Sequence, residues 1–158
     1  MKVLLVFVIA VLALSICEEL LERMSITDLV DRDYNTLSGG EAQKVQMCRV
    51  LAQIWEANDS DNKILFLDEP VSHLDIKYQY ELLDIAKQHC NKHVTVVAIL
   101  HDINLALSFA NRIVFIKKGK LAYDIQDVSQ LTSQIIDEVF DVSSKIIYPP
   151  DHKPVVLF

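Results

Sequence analysis

Ile64-Leu65-Phe66-Leu67 is a continuous apolar run set between Lys63 and Asp68. Such a run with a charge at each end predicts a strand buried on both faces of a parallel sheet. Downstream, apolar residues recur at Ile76, Tyr80, Leu83 and Ala86, which predicts a helix over Asp75 to Cys90. His93 to Leu100 is β-branched and strand-like, Asp102 to Ala110 reads as a helix, and Arg112 to Lys117 as a further strand. Lys118-Gly119 is a hairpin-like turn into Leu121-Ala122-Tyr123. Ser129 to Val142 reads as a C-terminal helix, and Pro149 to Phe158 as an irregular or strand-forming tail. Upstream, turn signals at Asp31 to Asn35 and at Ser38-Gly39-Gly40 precede a helical stretch from Glu41 to Glu56, and Asn58 to Asn62 is a polar loop. Strand, helix, strand, helix, strand implies right-handed crossovers and an α/β fold with a mainly parallel sheet and flanking helices.

The first segment fits that plan least well. Val3 to Ile16 contains one polar residue, Ser15, and follows Lys2, as the apolar middle of a secretory signal follows its charged start. It is short for a bilayer span. Leu14-Ser15-Ile16-Cys17 resembles a lipoprotein cleavage box, except that Ile16 stands where a small residue belongs. The competing reading is a buried apolar helix that continues into Cys17 to Met24, where leucines alternate with acids at helical spacing. The expected division is therefore an apolar segment over residues 1–16 and one α/β domain over residues 17–158.

Composition removes several function classes. The chain has 158 residues and three glycines, Gly39, Gly40 and Gly119, so neither a G-x-x-x-x-G-K-[ST] phosphate loop nor a G-x-G-x-x-G dinucleotide fingerprint is present in it. A net charge of −7 argues against diffuse attraction to nucleic acid or anionic lipid. Cys17, Cys48 and Cys90 are odd in number and show no C-x-x-C spacing, which suits buried thiols in a reducing compartment rather than a disulfide frame or zinc site.

The remaining chemistry sits at two places. Asp68-Glu69 ends the Ile64 to Leu67 strand, where ligands of open α/β sheets bind. Paired acids there suit phosphoryl chemistry: Asp68 to hold Mg²⁺, and Glu69 to orient or deprotonate an attacking water. Ser38-Gly39-Gly40 opens a helix, and the N–H groups and dipole of a helix start attract phosphate. An ordinary helix cap explains a bare S-G-G equally well, and a solvated strand end explains a lone acid.

Four motifs in a fixed order decide between these readings. Leu37-Ser38-Gly39-Gly40-Glu41, Ile64 to Pro70, Ser72-His73-Leu74-Asp75 and His101-Asp102 together resemble the second half of the nucleotide-binding domain of ATP-binding cassette (ABC) ATPases, over about residues 18 to 158. The resemblance implies a partial P-loop NTPase fold whose N-terminal part is missing. It implies that Ser38, Gly39 and Gly40 form the signature loop that contacts the γ-phosphate of ATP on the opposite subunit. Asp68 is then the Mg²⁺-associated aspartate, Glu69 the catalytic glutamate, Asp75 the dimer-interface aspartate and His101 the switch histidine. His73 stands where alanine is frequent and carries no assigned role. Arg49 to Glu56 and His101 to Leu107 look most like the ATPases that drive bacterial import of iron chelates, hemin in particular.

That family implies ATP and Mg²⁺ as cofactors. It also implies a second ABC ATPase subunit and transmembrane permease subunits as partners, no nucleic acid, and a cytoplasmic location on the inner face of the cell membrane. Such a location weighs against a working export signal at Val3 to Ile16. No phosphate loop is visible among residues 1–37, so the acids lack a positioned substrate and little ATP hydrolysis is expected of this chain alone. The alternative function is a non-catalytic module that docks on an intact ABC ATPase or its permease. Loss of the preceding strand should also leave an apolar strand edge or face uncovered, which Val3 to Ile16 would partly cover.

Overall fold

The computed structural model describes residues 14–55, 62–90, 93–150 and 152–158. Most of the apolar segment at Val3 to Ile16 and most of the polar loop at Asn58 to Asn62 lie outside the described residues. The chain divides into two compact units, residues 1–99 and residues 100–158.

In the first unit, residues 14–23 are helical (α1), as the leucine and acid pattern predicts. Short 3-10 turns at Thr27–Leu29 and Tyr34–Thr36 lead into α2 (Gly39–Ile54), followed by β1 (Lys63–Asp68), α3 (Ile76–His89) and β2 (Val94–Ile99). Strands β1 and β2 pair in parallel, with Phe66 opposite Val97 and Asp68 opposite Ile99. Alternation along β1 places Leu65 and Leu67 in the core, at 3% and 8% exposure. They are joined there by Leu20, Met47, Leu51, Leu82, Leu83 and Val94. Lys44 on α2 is buried with its ammonium 3.2 Å from the Tyr78 ring centroid on α3, a cation–π contact between the helices. Burial lowers the Lys44 pKa.

The other side of β1 corrects the expectation of a strand buried on both faces. Ile64 and Phe66 are 60% and 72% exposed. Continuous apolarity marks a strand whose two faces are both meant to be covered, and here only one of them is. The expectation of an uncovered apolar face is met at these residues.

The second unit contains α4 (Ile103–Phe109), β3 (Ile113–Lys117), β4 (Lys120–Ile125), α5 (Ser133–Phe140), β5 (Lys145–Ile147) and β6 (Val155–Leu157). Its core joins Ile103, Leu107, Ile113, Phe115, Ile125, Leu131, Ile136 and Val156. The expected third parallel strand is instead one arm of an antiparallel hairpin, β3 with β4. Its two-residue turn has Lys118 at φ 51° and Gly119 at φ 72°, the positive angles that match hairpin twist. The C-terminal helix starts later than Ser129. Asp127 caps a 3-10 turn over Val128–Gln130, and Thr132 then caps α5. The tail forms the β5–β6 pair. Of the three thiols, only Cys48 is buried; Cys17 and Cys90 are exposed.

Candidate functional site

Ser38 is the N-cap of α2, and its local bonding is a capping box. The Ser38 Oγ accepts from the Glu41 N–H at 3.3 Å, while the Ser38 N–H donates to Glu41 Oε2 at 2.7 Å. These bonds from Ser38, helped by Arg32 at 3.2 Å, hold the Glu41 carboxyl below the usual range. The capping role of Ser38 uses its oxygen as an acceptor and leaves the hydroxyl proton free to be donated. Gly39 and Gly40 occupy the first turn, where backbone N–H groups have no acceptor within the helix.

Neither glycine has a positive φ; their smallness serves an approach. A Cβ on Gly40 would lie 3.2 Å from the His73 carbonyl oxygen and 3.5 Å from Leu74 Cδ2, whereas one on Gly39 would meet only His73 Cβ, at 3.9 Å. The start of α2 is thus packed on the loop that follows β1. A second tie runs from Gln43 on α2, whose Nε2 donates to the Glu69 carbonyl at 3.2 Å.

Asp68 is the last residue of β1 and Glu69 the first beyond it; both are exposed. Glu69 has φ 46°, the left-handed region that costs a residue with a Cβ about 1–2 kcal/mol. Its carbonyl is held by three donors: Gln43 Nε2, the Ser72 N–H at 3.3 Å and the Ser72 Oγ at 3.1 Å. Buried Pro70, Val71 and Leu74 anchor the loop. Gln79 on α3 donates to the Leu74 carbonyl at 2.9 Å. Asp75 is the N-cap of α3, yet its carboxylate makes no capping hydrogen bond. The exposed carboxylate is therefore not consumed by its own helix.

The first unit therefore brings the Ser38 to Gly40 helix start against the Glu69 to Asp75 loop. His101 belongs to the second unit, where it is exposed and immediately precedes Asp102. Asp102 caps α4 by accepting from the Asn104 and Leu105 N–H groups at 2.7 and 3.2 Å. Sequence reasoning missed two contributors. Gln43 was legible only as a letter of the motif, and the His73 contact is made by backbone, which its side chain does not advertise.

No family model matches the chain. A hemin import ATP-binding protein of Mesorhizobium japonicum is 41% identical over 142 residues, covering 89% of this chain and 54% of that protein. One from Rhodopseudomonas palustris is 41% identical over 127 residues, covering 80% and 47%. Among solved structures, an inward-facing metal-chelate type ABC transporter matches at TM-score 0.67 and 24% identity, over 91% of this chain and 57% of that one. The chain carries part of an ABC ATPase fold. An ATP-binding cassette of an ABC transporter in its ADP conformation agrees, at TM-score 0.57 and 18% identity over 82% and 46%. The chain spans about half the length of the curated relatives it matches. Among the described residues of this ABC fold, no helix is long and apolar enough to cross a membrane.

Proposed function

We propose that this chain is an ATP-binding part of an ABC importer that couples ATP hydrolysis to uptake of hemin or another iron chelate, on the cytoplasmic face of the cell membrane. One observation carries the reading: the S-G-G helix start is fastened to the loop after the two strand-end acids, through Gly40 against His73 and Gln43 to the Glu69 carbonyl. The hemin-import names of the relatives support that substrate class.

In this reading the N–H groups of Gly39 and Gly40 and the Ser38 hydroxyl donate to the γ-phosphate of a nucleotide held mainly by a second ABC ATPase subunit. Asp68 is the Mg²⁺-associated carboxylate. No group of three or more His, Cys, Asp or Glu able to hold a metal occurs among the described residues. The single exposed carboxylate of Asp68 at the end of β1 fits an ion bound by one carboxylate plus substrate phosphates and water, the habit of Mg²⁺. When bound, Mg²⁺ neutralises charge on the phosphate oxygens. Glu69, with its backbone pinned by three hydrogen bonds, takes the proton of the attacking water. Asp75, unused as a cap, faces the second subunit, and His101 senses the γ-phosphate. The transmembrane permease is the remaining partner.

These 158 residues contain no phosphate-loop motif, so the chain by itself has negligible ATPase activity. The test is turnover by the purified chain against its Glu69→Gln variant; activity above that control contradicts the reading. The exposed S-G-G helix start also supports a second reading, a non-catalytic module that lends Ser38 to Gly40 to an intact ABC ATPase. ATP-dependent capture of that ATPase, lost in Ser38→Arg, distinguishes it.

A further inference from the structure

Two cysteines that the ATP-binding reading does not use meet where α1 packs on α2. Cys48 is buried on α2, and its thiol donates to the Leu20 carbonyl of α1 at 3.6 Å. Cys17 lies one helical turn before Leu20 on α1, so the two residues share a face of that helix. Leu20 is fully buried whereas Cys17 is exposed, so the shared face runs from the core out to solvent. The Cys48 thiol is therefore seated against the stretch of α1 that carries Cys17. Packed helices have axes about 8–10 Å apart, with Cα atoms about 2.3 Å off each axis, which brings facing residues within the roughly 4.4–6.8 Å between Cα atoms that a disulfide spans. Electrostatics agrees: burial pushes the Cys48 thiol up to about 11, and the charge of neighbouring Cys17 is the next cause. Cys90, exposed at the end of α3, exerts no such effect on Cys48.

We propose that Cys17 and Cys48 are a thiol-oxidation site, a dithiol that a low-molecular-weight disulfide converts to a bridge between α1 and α2. Cys17 is the sulfur that solvent reaches, so it reacts first. Its thiolate attacks one sulfur of the incoming disulfide and expels the other half as a thiolate, which takes up a proton. Cys48 then gives up its proton to solvent base and attacks Cys17 Sγ, forming the Cys17–Cys48 bond and expelling the second half in the same way. Two protein thiols lose two electrons, and one small disulfide is reduced to two small thiols. Burial keeps Cys48 from reagents in solution, so it is oxidised only through Cys17. Its raised pKa makes the second step the slow one, faster as pH rises. The same exchange run backward with a small dithiol restores both thiols. A bridge that opens and closes in this way fits the reducing compartment that the thiol pattern suggests. It ties α1 to the helix that Ser38 caps, and it forms whether or not nucleotide is bound.

The test incubates the full chain with oxidised glutathione in mildly alkaline, nucleotide-free buffer, blocks remaining thiols by alkylation and maps the product by mass spectrometry. The expected product has lost two hydrogens, joins the peptides of Cys17 and Cys48, and returns to the starting mass with dithiothreitol. Cys48→Ala stops at a glutathione adduct on Cys17, and Cys17→Ser, a change at an exposed position, forms no bridge. Cys90→Ser forms the bridge as the unaltered chain does. Equilibrated in a glutathione redox buffer, the folded chain holds at least tenfold more of the bridge than the chain in concentrated urea. Unchanged far-ultraviolet circular dichroism and Trp55 fluorescence show that the variants fold. A lasting glutathione adduct on Cys17 of the unaltered chain, a bridge to Cys90, or a Cys17–Cys48 bridge equally abundant in urea each overturns the proposal. Because nucleotide is absent throughout, such a failure leaves the ATP-binding reading standing, and a negative ATPase result leaves this one standing.

Discussion

The left-handed backbone at Glu69 makes a sharp prediction, because replacing its side chain by Ala or by Gly removes the same side-chain interactions and changes only what the backbone tolerates. At φ 46° a Cβ costs about 1–2 kcal/mol. Gly avoids that cost but gives the unfolded chain more freedom, worth about 0.4–1 kcal/mol against it. Taken at the middle of both ranges, the difference leaves Glu69→Gly more stable than Glu69→Ala by about 0.5–1 kcal/mol, the reverse of the usual order of these residues. With a urea slope of about 1.5 kcal/mol/M, the midpoints separate by roughly 0.3–0.7 M. Trp55 is the only tryptophan. It sits in the first unit with its ring 4.8 Å from His89 and 5.3 Å from the Arg23 guanidinium carbon, so its fluorescence reports unfolding of the unit that holds Glu69. An Ala variant as stable as the Gly variant, or more so, refutes the claim that the loop holds residue 69 under strain through the bonds to its carbonyl.

Gly39→Ala is tolerated, whereas Gly40→Val, forced against the His73 carbonyl and Leu74, lowers stability by about 1–3 kcal/mol in urea unfolding followed by Trp55. The Asn104 amide donates to the Val156 carbonyl at 3.1 Å and accepts the Val156 N–H at 2.8 Å. Asn104→Ala leaves both groups unpaired, at about 2 kcal/mol, and speeds exchange of the Val156 amide roughly 30-fold by hydrogen-exchange NMR. Burial pushes the Cys48 thiol up to about 11, so at mildly alkaline pH a thiol reagent titrates exposed Cys17 and Cys90 at once and Cys48 only on unfolding. Glu41 is held below the usual carboxyl range by its Ser38 bonds, so its contribution is present above that range and fades as pH falls through the lowered value. Glu41→Gln flattens that acid-side loss in the Trp55 unfolding midpoint.

The elements that local pattern specifies were legible. The turn signal at Ser38-Gly39-Gly40, the run from Ile64 to Leu67 and the spacing of Leu83 and Ala86 place α2, β1 and α3 within one or two residues of where they form. Misreadings arose where the deciding contact is distant in sequence. Nothing within Arg112 to Lys117 shows that it pairs with Lys120–Ile125 instead of extending a parallel sheet; only the turn at Lys118-Gly119 marks the hairpin. Ser129 looked like a helix start because the Asp127 cap and its 3-10 turn share the chemistry of a helical N-terminus. Cys17 and Cys90 were expected to be buried because free thiols usually are, yet both lie on exposed positions. At the site, the acids and the S-G-G were legible, but the bond from Gln43 to the Glu69 carbonyl was not, since a glutamine side chain carries no mark of its acceptor.

The three glycines show why a motif and its physical reason must be separated. Gly119 is required by its own backbone: φ is 72°, and a Cβ there would meet nothing within 4 Å, so Asn, which tolerates that conformation, is an adequate replacement. Gly39 and Gly40 have backbone angles open to any residue, and Gly40 is constrained by the His73 carbonyl beside it. A phosphate-binding role would use the N–H groups that any helix start leaves without an intrahelical acceptor, but packing on the β1 loop already demands a small residue at Gly40. Gly39 has room for a Cβ, so it is the position where glycine is left without a packing reason. Nucleotide-dependent association that falls in Gly39→Ala while urea stability holds therefore separates the ligand role from the structural one more cleanly than any change at Gly40.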